Sequence, residues 1–302
     1  KNLRQFEHTL EEKSWFQRKL RPEMQWLFFK TLRDTGAKGV QGYDRWLFYR
    51  PDLRYLVEPD PFERGRSDSK WAGPVEKRSH GESVERAILR FRDQLKERGI
   101  ALVVVPVPGK PSVYPDQVTR RAVGKQQQFQ SPTLKLIAAL RREGVPTVDL
   151  FSAFRSARIA EREGQAATPL YLAYDTHWTP QGAQLAAQLV AAQLIESKLA
   201  PDAVKEFQSR HVAIARWGDI LDMMQIPGTR EAFPSEKVVC DQVVDPVSGP
   251  LVPTASDRPG TFRYPGQGTS VLVLGDSFCR IYQFPEPQSL GDESVATTPV
   301  QK

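Results

Sequence analysis

The chain has 302 residues, 40% of them hydrophobic and 26% charged, with a formal net charge of +6. That composition belongs to a globular protein of one large or two modest domains and excludes a disordered chain. No apolar run approaches the ~20 residues of a membrane-spanning helix. No basic stretch is long or interleaved with aromatics, so no nucleic-acid partner is expected, while an anionic glycan suits the charge balance.

Residues 3–33, "LRQFEHTLEEKSWFQRKLRPEMQWLFFKTLR", read as helix without a glycine, split in two at Pro22. "GVQGYDRWLFYRPDLRYLV" follows, and its Gly-Tyr-Asp turn inside an aromatic run predicts a hairpin. Residues 59–80 are polar with Gly and Pro and read as a loop. These 80 residues are expected to form a helical segment and an aromatic hairpin packed on a single α/β unit spanning 81–302.

From residue 83 helical and apolar patterns alternate. "SVERAILRFRDQLKERG" is an amphipathic helix with Ile88, Phe91 and Leu95 on one face and Gly99 at its end. "IALVVVPVP" is an apolar β-branched run of the buried, parallel-strand kind. "SPTLKLIAALRREG" opens with a serine cap and closes on glycine; "VPTVDLF" reads as a short strand and "SAFRSARIAEREG" as another helix. "PLYLAYDTHW" is strand-like to Tyr174. Thr179 and Pro180 then cap and start a long helix. The stretch 200–268 is less regular, with β-like runs "EKVVCDQVV" and "TFRYP". "SVLVLGDSFCRIYQF" reads as a buried strand, a tight turn and a helix start. The alternation predicts a three-layer α/β/α fold with a mainly parallel sheet.

In such sheets chemistry collects beyond the carboxyl ends of strands. Two strand ends carry reactive side chains: "YLAYDTHW" and "VLVLGDSF". A serine hydroxyl needs a base, histidine is the usual one, and a carboxylate on Nδ1–H fixes its tautomer. Asp175 and His177 lie on the same side of an extended segment. Gly275 permits a tight turn, and a helix after Ser277 aims free amides at a developing oxyanion. Read singly, His177 is a turn histidine locked by Asp175, and Ser277 is a helix cap. Their joint placement at two strand ends favours Ser277 as nucleophile, His177 as base and Asp175 as its orienter. The other histidines are His8, His80 and His211, none beside a serine motif. Too few ligands cluster for a metal site, and neither metal nor cofactor is expected. Cys240 and Cys279 show no CxxC spacing; a disulfide and free thiols both remain open.

"GDSF" after an apolar strand resembles the nucleophile block of the SGNH hydrolase superfamily. "DTHWTPQGA" is similar to the Asp-x-His-Trp block of its alginate O-acetyltransferase (AlgX/AlgJ-like) branch, as are "GYDRWLFY" and "VVVPVPGKPSVYPD" to that branch's earlier segments. The Asp/His block precedes the serine block, as in that branch, whose topology is circularly permuted. The resemblance implies an O-acetyltransferase acting on an exopolysaccharide through an acyl-enzyme on Ser277. It implies a membrane-bound O-acyltransferase partner as acetyl donor, and a periplasmic or extracellular location with an anchor or signal upstream of Lys1. A glycan acetyl esterase and a non-catalytic glycan-binding scaffold are the alternatives. The block asparagine of common SGNH hydrolases is missing, since the single asparagine is Asn2. The Ser277 amide, Arg280 or Lys110 would then serve the oxyanion, with Trp178 and Tyr282 as substrate-contacting candidates. The chain ends 25 residues after Ser277 on a polar tail, which predicts a fold incomplete at its C-terminus.

Overall fold

The computed structural model describes residues 15–58, 83–125, 129–165, 168–200, 208–245, 249–250 and 271–282. The proposed loop over 59–80, "TFRYP" and the polar tail lie outside these residues, as does the start of the first helix. That helix, α1 (Trp15–Leu32), runs unbroken through Pro22 instead of splitting there. A proline removes one amide from the i→i−4 ladder, and the ladder resumes past it.

The predicted hairpin is present. Strands β1 (Gly39–Gln41) and β2 (Leu47–Tyr49) pair antiparallel with Val40 opposite Phe48. Asp44 and Arg45 at the turn have φ of 50° and 65°, the two positive values a type I′ turn requires. Leu47 and Phe48 are both fully buried, and neighbouring strand residues point to opposite faces. Leu47 therefore enters one apolar cluster, with Phe29, Tyr174, Ile220 and Phe233. Phe48 enters the other, with Tyr114, Phe154, Tyr171 and Trp178. Burying each side chain contributes about 1.5–3 kcal/mol. The short strand is thus a wedge between two cores, and it continues directly into α2 (Arg50–Val57).

Helix α3 (Val84–Lys96) is capped by Ser83 and packs on α6 (Thr133–Arg142), with Ile88 and Leu95 half-buried and Phe91 exposed. Between them lie two single turns, α4 (Lys110–Val113) and α5 (Pro115–Val118). Helix α7 (Leu150–Arg162) starts earlier than its sequence suggests, because the Asp149 carboxylate accepts the amides of Phe151 and Ser152. Helix α8 (Pro180–Glu196) begins where expected, with Thr179 Oγ1 accepting from Gly182 N at 3.2 Å.

Parallel pairing among the described residues is confined to one bridge, Val104 with Thr147. The run 100–108 does not become a strand: Pro106 and Pro108 have no amide to give a ladder. Residues 271–274 pair with nothing among the described residues. Their side chains are exposed, Leu274 at 74%, where a buried strand was expected. The regular sheets are antiparallel instead. Strand β3 (Gln208–Arg216) pairs along its whole length with β4 (Glu236–Asp245), and β5 (Gly249–Pro250) adds to β4. The β-like run "EKVVCDQVV" is thus β4, while β3 was not anticipated. The far end of this arm is polar and exposed, with His211 paired to Asp241 at 2.6 Å. Its base sets Arg216 opposite Glu236 and leads into α9 (Asp219–Met224) and α10 (Thr229–Ala232). The last described element is a single turn, α11 (Ser277–Arg280). No helix among the described residues is long and apolar enough to cross a membrane. Cys240 and Cys279 are free thiols.

Candidate active site

Residues 171–178 form a tight loop closed by an antiparallel bridge between Tyr171 and Trp178. Its polar backbone faces inward, so each group needs a partner. Ionisable side chains from remote elements supply them. Lys110, 1% exposed, gives its ammonium protons to the carbonyls of Leu172, Ala173 and Asp175 at 3.0, 3.1 and 2.7 Å. Glu236 accepts from Ala173 N at 2.8 Å and Tyr174 N at 3.0 Å. Asp219 accepts from Thr176 N at 2.7 Å. Lys110 is therefore a clamp behind the loop. An oxyanion role does not fit, because all three donors are committed. Burial pulls its pKa down to about 8 against the opposing charges of Asp175, Glu236, Asp219 and Asp52. Burial likewise raises the carboxyl of Asp52 to about 6.

The loop presents Asp175 and His177 as a coupled pair. Asp175 Oδ1 lies 2.5 Å from His177 Nδ1 and accepts His177 N at 2.9 Å. Both residues are buried. Burial opposes ionisation of Asp175, but the hydrogen bond and charge of His177 outweigh it and hold the carboxylate well below its usual range. Burial also opposes the imidazolium. The hydrogen bond and charge of Asp175, with Asp219 adding, overcome this and raise His177 above an ordinary histidine, while Arg216 opposes. With Nδ1–H directed to Asp175, Nε2 carries the lone pair. Nε2 is buried and has no hydrogen-bond partner among the described residues.

The structure brings the turn carrying Ser277 against this loop. The Phe278 ring packs 4.8 Å from the His177 ring, and Trp178 Nε1 donates to Phe278 O at 3.0 Å. Tyr282 OH donates to Trp178 O at 2.7 Å, and the Arg216 guanidinium donates to Ile281 O at 2.9 Å. Trp178 and Tyr282 are thus braces between the two halves, their polar atoms already used. Ser277 itself is exposed and forms no hydrogen bond with His177. The Asp276 carboxylate takes Phe278 N at 3.0 Å, and Asp276 O takes Cys279 N at 3.2 Å. A Cβ at Gly275 would stand 2.2 Å from Cys279 Sγ, so a larger residue there displaces the Cys279 side chain. Arg280 is exposed on the same turn.

Asp219, Glu236, Arg216 and Phe278 are parts of this site that the sequence reading did not single out. The signal for Asp219 was the glycine before it in "RWGD". Ligand atoms of Asp175, His177 and Asp219 lie within 4.8 Å of one another, a spacing a cation could bridge. Here they are satisfied by each other, with Nδ1–H between the two carboxylates.

Among curated proteins, the chain is 28% identical over 183 residues to the probable alginate O-acetylase AlgJ of Pseudomonas aeruginosa, covering 60% of this chain and 39% of that protein. It is 27% identical over 231 residues to the Pseudomonas syringae pv. tomato protein of the same name, covering 74% and 51%. It therefore spans no more than about half the length of these relatives. Among solved structures, the O-acetyltransferase domain of Pseudomonas putida AlgJ is 23% identical with a TM-score of 0.45, over 72% of this chain and 67% of that one. The family model described as "SGNH hydrolase-like domain, acetyltransferase AlgX" matches residues 40–296. With well over half of its length under that match, the chain belongs to the AlgX family of SGNH hydrolase-like acetyltransferase domains.

Proposed function

We propose that this chain transfers acetyl groups to hydroxyls of an exopolysaccharide through Ser277, His177 and Asp175. One observation carries the reading. The imidazole is locked by Asp175 on one nitrogen, and its other nitrogen is buried, beside the Ser277 turn and without a hydrogen-bond partner among the described residues. That is the state of a general base awaiting a proton. In the first step Ser277 Oγ attacks the acetyl carbonyl of an ester donor and its proton passes to Nε2. Collapse of the tetrahedral intermediate expels the donor alcohol, which takes that proton. In the second step a sugar hydroxyl attacks the acetyl-serine and gives its proton to Nε2. Collapse returns the proton to Ser277 and releases the acetylated sugar. The Ser277 amide is the backbone donor best placed for the oxyanion, since Asp276 occupies the next two amides. The Ser277–His177 hydrogen bond forms in the substrate complex, as catalytic bonds often tighten only there.

The relatives' names support a polysaccharide substrate, and the net charge of +6 suits an anionic one. The reading includes a permuted three-layer arrangement with the Asp/His block before the serine block, a periplasmic or extracellular location, and a membrane-bound O-acyltransferase as donor. The test pairs an activated acetyl ester with an acceptor glycan and compares wild type with Ser277→Ala. Acetyl on the glycan and a phosphonate adduct on Ser277, both lost in the variant, are expected. Free acetate as the sole product assigns an esterase. Equal turnover in wild type and variant overturns the triad.

A further inference from the structure

We propose that Asp219 is a fourth member of the site, a positioning residue that locks Asp175 and holds the His177 imidazolium between two carboxylates. The proposal rests on the acyl-transfer reading above.

Asp219 reaches the His177 loop by three separate bonds. Its backbone amide donates to Asp175 Oδ2 at 3.1 Å, so the catalytic carboxylate is gripped on both oxygens. Its own carboxylate takes Thr176 N on Oδ1 at 2.7 Å and Thr176 Oγ1 on Oδ2 at 2.5 Å. That second oxygen then stands 3.6 Å from His177 Nδ1, the ring nitrogen away from Nε2. The approach is built into the backbone. Gly218 has φ of 98°, and a Cβ there would lie 2.4 Å from Tyr174 O and 2.9 Å from Asp175 N. No other residue lets the chain pass so close to the loop. Ile220 N closes the contact on Tyr174 O at 3.3 Å.

The consequence is electrostatic. An opposite charge within ~4–6 Å favours the charged form of a base. His177 is faced by Asp175 and Asp219 as anions, by Arg216 as an opposing cation, and more distantly by Asp52. Lys110 lies behind the same loop. Asp219 keeps a half-buried negative charge where Thr176 alone needed only a neutral acceptor, and desolvation together with Asp175 resists that charge, raising its carboxyl to about 6. A group serving only as a loop cap would do as well as an asparagine.

Asp219→Asn and Asp219→Ala separate the two roles, since both keep the backbone amide on Asp175. The imidazole of His177 is titrated by nitrogen-detected NMR in wild type and both variants, beside the pH profile of kcat/KM for acetyl transfer. The titration midpoint of His177 and the acid limb of the profile are expected to fall by about one pH unit or more in both variants. kcat is expected to drop about tenfold with KM little changed, and Asp219→Glu to restore part of the midpoint. A midpoint unmoved in two folded variants overturns the proposal. The NMR titration needs no turnover. A shifted midpoint in a chain that transfers no acetyl group therefore supports the coupling and rejects the acyl-transfer reading instead.

Discussion

Replacing Lys110 with methionine tests the clamp behind the loop. Two effects oppose each other. The ammonium serves three carbonyls, but Ala173 O also accepts from Leu47 N at 2.9 Å. Leu172 O and Asp175 O are then the two left without a donor among the described residues. Each orphaned buried acceptor costs about 1–3 kcal/mol, so the loss is about 2–6 kcal/mol. Against this, burial lowers the lysine from 10.5 to about 8. That difference is a penalty of about 3 kcal/mol on the charged form, which methionine does not carry. Near neutral pH the balance falls between about 1 kcal/mol of stabilisation and about 3 kcal/mol of loss. The pH dependence is sharper. The folded pKa lies below the unfolded one, so between about pH 8 and 10.5 the unfolded chain holds more protons, and this group's contribution to stability rises with pH. Wild type should therefore gain about 2–3 kcal/mol on Lys110→Met between about pH 7 and about pH 10, read from urea unfolding of both proteins. A difference that stays flat across that range would refute a buried, charged clamp.

Asp52→Asn should act with the opposite sign. Its folded pKa is raised from 3.8 to about 6, so the carboxylate stabilises the fold less as pH climbs through that window. The variant should be about 1–3 kcal/mol more stable at neutral pH and show no gain near pH 4, as measured by thermal unfolding at both. Gly218→Ala should cost about 2–4 kcal/mol by urea unfolding, combining a positive φ with contact on the Tyr174 carbonyl. Gly144→Ala has a φ of 74° but nothing within 4 Å of the new Cβ, so it should cost only about 1–2 kcal/mol. Equal losses at the two positions would remove the steric argument.

What was legible in the sequence was local. The GYDRW turn, the Thr179 cap and the Asp175–His177 pairing each depend on residues a few positions apart. What was not legible depends on distant neighbours. "VVVPVP" and "VLVL" have β-branched or apolar content, but strand formation needs a partner, and content alone does not supply one. Half of the β3–β4 arm was legible, since "EKVVCDQVV" reads as β-like and becomes β4. Its partner β3 was missed for the converse reason: its residues are mostly polar and outward, so no hydrophobic pattern announced it, yet it pairs over nine residues. Lys110 carries a related lesson. As a cation in a Pro- and Gly-containing loop it reads as an oxyanion donor, and only the carbonyls of residues about 60 positions later show that its protons are already used.

The bridge-closed loop also sets when the site comes into being. Its partners are far along the chain: Lys110 is 65 residues from Asp175, Asp219 is 43 from Thr176, and Phe278 is 100 from Trp178. Contacts of such separation form only after the intervening loops have closed, so they belong to the slow end of folding. A chain still emerging, or one opened by partial unfolding, carries the histidine and the serine without holding them together. The pairing of the two turns is thereby a property of the finished fold, and a half-made molecule lacks it.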